Sequence, residues 1–232
     1  MRSATRVREG AEGLSQRARA AILLVLAGAA LASCRRPLVE PKAELAGGWL
    51  REPELALGFE LRADGTLGLL GVPAQSGLAW NASHGELVLS TNSAQRVESG
   101  VARLRVAALE PDRLALSGDG EAFAGVYRRA QVLHVRGVLT YRERMELAPD
   151  ARVEVELTQI GVGPIARQVF LARSQVPISF LLSLPASAAA SGAALELAAR
   201  IGDRERTLFA TAEPLRVNAR EDEVEVLLRR AR

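Results

Sequence analysis

Through most of this chain apolar and polar residues alternate one by one, and turn residues interrupt the alternation about every 8–12 positions. Period two buries one face of a strand and wets the other, so the pattern predicts an all-β protein. The cleanest alternation lies in the second half. "ARVEVELTQ" puts Val153, Val155 and Leu157 on one face and Arg152, Glu154 and Glu156 on the other. "PISFLLSLP" aligns Ile178, Phe180, Leu182 and Leu184. Leu195, Leu197, Ala199 and Ile201 repeat the pattern, as do Val224, Val226 and Leu228. With Leu133–Tyr141, Ile165–Arg173 and Glu205–Thr211 these make seven strands over 131–232. Two antiparallel sheets packed as a β-sandwich would bury their apolar faces.

The first half, 44–129, carries eight shorter strand candidates: Gly48–Arg51, Leu57–Arg62, Leu67–Leu70, Leu78–Ala82, Glu86–Ser90, Ala102–Leu109, Arg113–Ser117 and Ala122–Arg128. Asp64-Gly65, His84-Gly85 and Asp119-Gly120 mark tight turns, the first fitting a type I′ hairpin with two positive-φ residues. Short strands joined by tight turns predict a small up-and-down β-barrel, which leaves no free edge. Two regions result, a barrel followed by a seven-stranded antiparallel sandwich.

Ahead of both, Ala20–Leu31 is an unbroken apolar run. It is shorter than the roughly 20 residues a bilayer-spanning helix needs. It suits the core of a secretory signal behind Arg17 and Arg19. Leu31-Ala32-Ser33-Cys34 resembles a bacterial lipobox. The resemblance implies cleavage before Cys34, a thioether to diacylglycerol on its sulfur and acylation of the new amine. Residues 1–33 then read as a lipoprotein signal peptide and 34–43 as a lipidated tether. Arg35 stands where, in enterobacterial lipoproteins, an aspartate retains the protein in the inner membrane. That favours the outer membrane, facing the periplasm.

Cleavage changes the charge. The whole chain is +3, but residues 1–33 hold five arginines and two glutamates. Without them 25 basic and 25 acidic side chains remain, and a neutral protein lacks the electrostatic footprint of a nucleic-acid binder. Cys34 is the chain's one cysteine, so once it carries lipid no disulfide forms. The expected partners are the membrane, through the acyl chains, and an envelope protein.

Little points to catalysis. The chain has two histidines. His84 reads as a turn residue and His134 as a solvent-facing one, in separate regions, with no mature thiol to join them in a metal site. Glu154 with Glu156, and Glu221-Asp222-Glu223, lie among arginines and read as solvated faces rather than paired catalytic carboxylates. Gly161-Val162-Gly163-Pro164 reads as a turn. No cofactor is expected beyond the covalent lipid.

Two further resemblances bear on function. Gly47-Gly48-Trp49 resembles the Gly-x-Trp of lipocalin-like domains, in which a last-strand arginine stacks over the tryptophan. This implies a barrel-closing pair of Trp49 with Arg128, or with its neighbour Arg129; a plain core tryptophan is the equal alternative. In the second half, "GVLTYRERMELAPDARVEVEL", "QVPISFLLSLP", "LELAARI" and "TLFATAEPLRV" resemble the type III secretion lipoprotein chaperones, YscW-like and YbaY-like. That resemblance implies a lipid-anchored, non-catalytic assembly role, chaperone- or pilotin-like, with a secretin-like client. An edge strand, Ile178–Leu184 led by Pro177, could add to a client's sheet. The alternative is a lipocalin-like carrier whose barrel holds a small apolar ligand among Leu57, Phe59, Leu61, Leu67, Leu69 and Val88.

Overall fold

The computed structural model describes residues 41–54, 57–73, 75–93, 99–189, 192, 194–203, 206–218 and 223–231. Leu31, Ala32, Ser33 and Cys34 lie outside them, as does most of the predicted tether. The last tether residues, 41–43, begin a helical turn, α1 (Pro41–Leu45). Beyond it the protein is all-β.

The first eight strands are β1 (Gly47–Arg51), β2 (Gly58–Leu61), β3 (Leu67–Leu70), β4 (Gln75–Ser83), β5 (Glu86–Ser93), β6 (Ser99–Leu109), β7 (Arg113–Gly118) and β8 (Gly125–Ala130). Their order, β3-β2-β1-β8-β7-β6-β5-β4, is a meander in which β1 pairs with both β2 and β8. The ring comes together between β3 and β4, where Thr66 bridges Ala79 and the Trp80 amide donates to the Gly65 carbonyl at 2.8 Å. The interior is filled by side chains: Trp49, Phe59, Leu61, Leu87, Leu89, Leu104, Leu114 and Tyr127 are essentially solvent-free. An eight-stranded barrel is just wide enough for such packing. Val88 alternates with Leu87 and Leu89 and stays outside this core. Only Gly65 of the Asp64-Gly65 turn takes a positive φ; the turn with two is His84-Gly85. Asp64 spends its side chain on Thr66 instead, accepting from both the amide and the hydroxyl.

The second region comprises β9 (Val132–Tyr141), β10 (Arg152–Gln159), β11 (Gly163–Leu171), β12 (Ile178–Pro185), the helical turn α2 (Ala186–Ala189), β13 (Leu195–Gly202), β14 (Thr207–Ala210), β15 (Leu215–Val217) and β16 (Val224–Arg230). The sheet runs β11-β10-β13-β14-β16-β9-β12, with β15 paired to β13. Three expectations are corrected. The two faces of the expected sandwich belong to one continuous sheet, joined where β14 pairs with both β13 and β16. Among the described residues there are eight strands, the extra one being β15, whose three residues are too few to show alternation. And the sheet is mixed, because β16 lies parallel to β9. These are the first and last strands of the region, so no hairpin ties their directions. The core joins Val153, Val155 and Leu157 to Leu139, Phe180, Leu197, Ile201, Phe209 and Leu228. Tyr141 stacks on Phe209, centroids 4.1 Å apart, and donates its hydroxyl to the Met145 carbonyl. Gln175 clasps both backbone groups of Leu147.

Candidate functional site

The sandwich sheet nearly closes, and its ends, β11 and β12, flank a seam. The barrel's own seam, β3 with β4, sits against it. On the β11 side the Arg167 amide donates to the Gly71 carbonyl at 3.1 Å, and the Val169 amide donates to Ser76 Oγ at 3.0 Å. Buried Ser76 returns its hydroxyl proton to the Val169 carbonyl. Those two edge amides are therefore satisfied by the barrel. On the β12 side the Leu181 amide donates to Gln168 Oε1.

Beside it lies a polar cluster spanning both regions. Glu60 of β2 points away from the barrel core, which Phe59 and Leu61 fill. Its carboxylate accepts from Arg62 Nε at 2.9 Å and from Ser183 Oγ of β12 at 2.9 Å, and it meets His134 Nε2 of β9 at 2.9 and 3.0 Å. Arg62 Nη2 also donates to Ser183 Oγ at 2.7 Å. Burial by itself would raise the Glu60 pKa, but the His134 hydrogen bond and the Arg62 charge outweigh it and hold the carboxyl below its ordinary range. Gly68 leaves room for the cluster, since a Cβ there would stand 2.8 Å from Arg62 Nη2 and 3.0 Å from Ser183 Oγ. His134 is thus not the solvent-facing residue expected from alternation. It lies on the outer face of the sheet, and the barrel covers that face.

The same geometry corrects the edge expectation. Ile178–Leu184 is indeed the last strand of its sheet, but the barrel packs on it. A strand added there would have to displace the Gln168 side chain from the Leu181 amide and enter beside Glu60 and Arg62, which hold Ser183.

At the barrel floor the Arg129 guanidinium carbon lies 4.3 Å from the Trp49 ring centroid. Arg129, not Arg128, takes this position, because Trp49 and Arg129 are direct cross-strand partners. Arg128 faces the other way and pairs with Glu52. Arg129 also donates to the carbonyls of Glu44, Ala46 and Pro111, tying the end of α1 and the β6–β7 turn to the barrel. Trp49 Nε1 donates to the Leu45 carbonyl at 2.8 Å. Gly47 has φ +130°, and a Cβ on it would lie 2.7 Å from Arg129 Nη1, which explains the glycine two residues before the tryptophan.

The opposite end of the barrel is open. A hollow of about 320 Å³ is lined by Leu57, Phe59, Leu69, Leu70, Val72 and Phe123, with Arg51 at its rim. Arg51 is held by the Ala122 and Ala124 carbonyls, and the Tyr127 hydroxyl donates to the Phe123 carbonyl. Burial pushes that phenol up to about 12, so it stays a neutral donor. Of the residues expected to line an interior cavity, Leu61 and Leu67 are packed into the core, Phe59 is packed there and also borders the hollow, and Leu57 and Leu69 reach it.

Glu154, expected on a wet face, is buried to 7 % exposure beneath arginines from neighbouring strands. Alternation reports the side of the sheet, and here flanking guanidiniums cover that side. Among the described residues no group of three or more His, Cys, Asp or Glu side chains is placed to hold a metal ion.

Comparison with known proteins bears on the second region. Residues 130–228 match the family described as type III secretion system lipoprotein chaperone (YscW). A solved structure titled "Structure of an alternative pilotin from the type II secretion system of Vibrio cholerae" is similar at 25 % identity, over 42 % of this chain and 96 % of that one, with a TM-score of 0.40. No curated protein matches. The family match begins at the last residue of β8 and ends within β16, so it falls on the sandwich and leaves the barrel outside.

Proposed function

We propose that this protein is a non-catalytic lipoprotein of the bacterial cell envelope, anchored by acyl chains on Cys34 in the outer membrane and facing the periplasm. Its sandwich serves an envelope protein partner as a chaperone or pilotin does. The match of residues 130–228 to the lipoprotein chaperones carries this reading. A secretin subunit is the class of partner it points to. The sequence Leu31-Ala32-Ser33-Cys34 supports the anchor, since two or three acyl chains hold a protein stably where one is marginal. The non-catalytic part is supported by the two buried acids. Glu60 and Glu154 are both engaged by cationic or hydrogen-bonding partners, which leaves neither poised as a general base.

The partner surface is to be sought on sandwich faces the barrel leaves open, such as exposed Ile160, Val162 and Leu227. The test is mass analysis of the processed protein together with membrane fractionation. A chain beginning at lipid-modified Cys34 and sedimenting with outer membrane is expected; an unmodified soluble chain would overturn the anchor.

The hollow at the barrel mouth favours a second reading, in which the first region carries a small apolar ligand. At about 320 Å³ it lies at the small end of ligand sites. Native mass spectrometry of protein purified from cells should then show a bound apolar species, released by Phe123→Glu. Bare protein would remove this reading.

A further inference from the structure

On the outward face of the sandwich three guanidiniums converge on one buried carboxylate. Arg200 of β13 donates Nε at 2.9 Å and Nη2 at 2.6 Å to Glu154 Oε2. Arg167 of β11 pairs with Oε1. These bonds use three of the roughly four acceptor positions of a carboxylate. Arg152 comes no nearer than 4.0 Å, and its buried Nε has no hydrogen-bond partner; the Nε of Arg167 has none either. The three guanidiniums share the face with two carboxylates, Glu154 and Glu156, the latter the cross-strand partner of Arg167, so one positive charge is in surplus. Burial alone would raise the Glu154 pKa, but the Arg200 hydrogen bond and the Arg167 and Arg200 charges hold it below the ordinary range. Next to this cluster is a polar hollow of about 200 Å³, lined by Arg152, Glu154, Arg200, Asp203, Arg206 and Thr207.

We propose that this hollow binds a phosphate group, carried by an anionic lipid headgroup or free in solution. Guanidinium forks match phosphate oxygens two at a time, and a phosphate's charge of one to two meets the surplus. A lone peptide carboxylate offers two oxygens, enough for one fork, and leaves the other without an acceptor. Arg206, paired with Asp203 at 3.4 Å, adds a donor at the rim without changing the balance. The proposal does not depend on the chaperone reading.

The test is calorimetric titration of the full-length chain, in an uncharged detergent, with inorganic phosphate. Saturable binding that weakens with added salt is expected. It should fall at least about tenfold in Arg152→Gln/Arg200→Gln, as loss of charge-assisted hydrogen bonds requires. Should that variant unfold, Arg206→Gln leaves the Glu154 contacts intact and should still weaken binding several-fold. Dihexanoyl phosphatidylglycerol separates the sources: competition with phosphate identifies a lipid headgroup, and failure to compete identifies free phosphate. No phosphate binding, affinity unchanged in Arg206→Gln, or binding of an acidic peptide alone would overturn the proposal.

Discussion

The two regions solve one problem in different ways. Each is a ring of strands with a gap, eight in the barrel and seven in the sandwich, whose eighth strand, β15, pairs with β13 off the ring. The barrel closes its gap from within, through the Thr66–Ala79 bridge and the bond between Trp80 and Gly65, and seals its floor with Trp49 and Arg129. The sandwich leaves β11 and β12 apart and takes its cover from outside, from Ser76, Gly71 and the Glu60 cluster of the barrel. An open pair of strand edges invites pairing with another chain. Here the barrel takes the Arg167 and Val169 amides of β11, and Gln168 takes the Leu181 amide of β12. The region that matches a chaperone family is thus the one whose edges are not free, which turns attention to its remaining faces.

The largest expected effect sharpens this contrast. Trp49→Ala in the barrel and Phe209→Ala in the sandwich each remove a fully buried aromatic and should cost about 3–5 kcal/mol. Because hydrogen bonds join the regions, both substitutions should lower a single urea transition. Two separate transitions would show that the seam cover does not couple them.

Next comes Glu60→Gln, which weakens a charge-assisted cluster and should cost about 1.5–3 kcal/mol. Coupling to His134→Gln in a double-mutant cycle measures the share that crosses between the regions. This site also predicts a pH dependence. The folded pKa of Glu60 is below its ordinary value of 4.5, as is that of Glu154. Their contributions are therefore fully present above that value and fade as pH falls through the lower, folded one. Urea midpoints should drop in that acid window, and the drop should flatten in Glu60→Gln/Glu154→Gln.

Ser76→Ala strands the Val169 amide and should cost about 1–2 kcal/mol. Hydrogen exchange should quicken at Val169 while Val155, in the sandwich core, stays protected. Smallest is the barrel floor: Arg129→Gln should cost about 0.5–1 kcal/mol by loss of the ring contact. Arg128→Gln, an exposed salt-bridge change, should stay within about 0.5 kcal/mol. Reversal of that order in thermal melts would put the wrong arginine on Trp49.

Much of this arrangement is legible in the sequence, unevenly. Alternation locates every barrel strand and seven of the eight sandwich strands, because each has one buried face. The Gly-x-Trp resemblance, rather than alternation, flags Trp49 and a terminal arginine. It leaves Arg128 and Arg129 both open, since the β1–β8 register is a property of pairing between distant strands. Alternation reads His134 and Glu154 as wet because it reports which side of a sheet a residue takes. What later covers that side depends on the barrel for His134, and on Arg167 and Arg200 from adjacent strands for Glu154. The parallel pairing of β16 with β9 is invisible for the same reason: it joins residues 87 positions apart, such as Gly137 and Val224.

Site-specific photo-crosslinking in intact cells tests the proposed role most directly. A benzoylphenylalanine would replace exposed sandwich residues Ile160, Val162 and Leu227 in turn, with exposed Val101 on the barrel as the comparison. The account predicts an adduct with one envelope protein from the sandwich positions and none from Val101. Adducts from Val101 alone, or from no position, would contradict it.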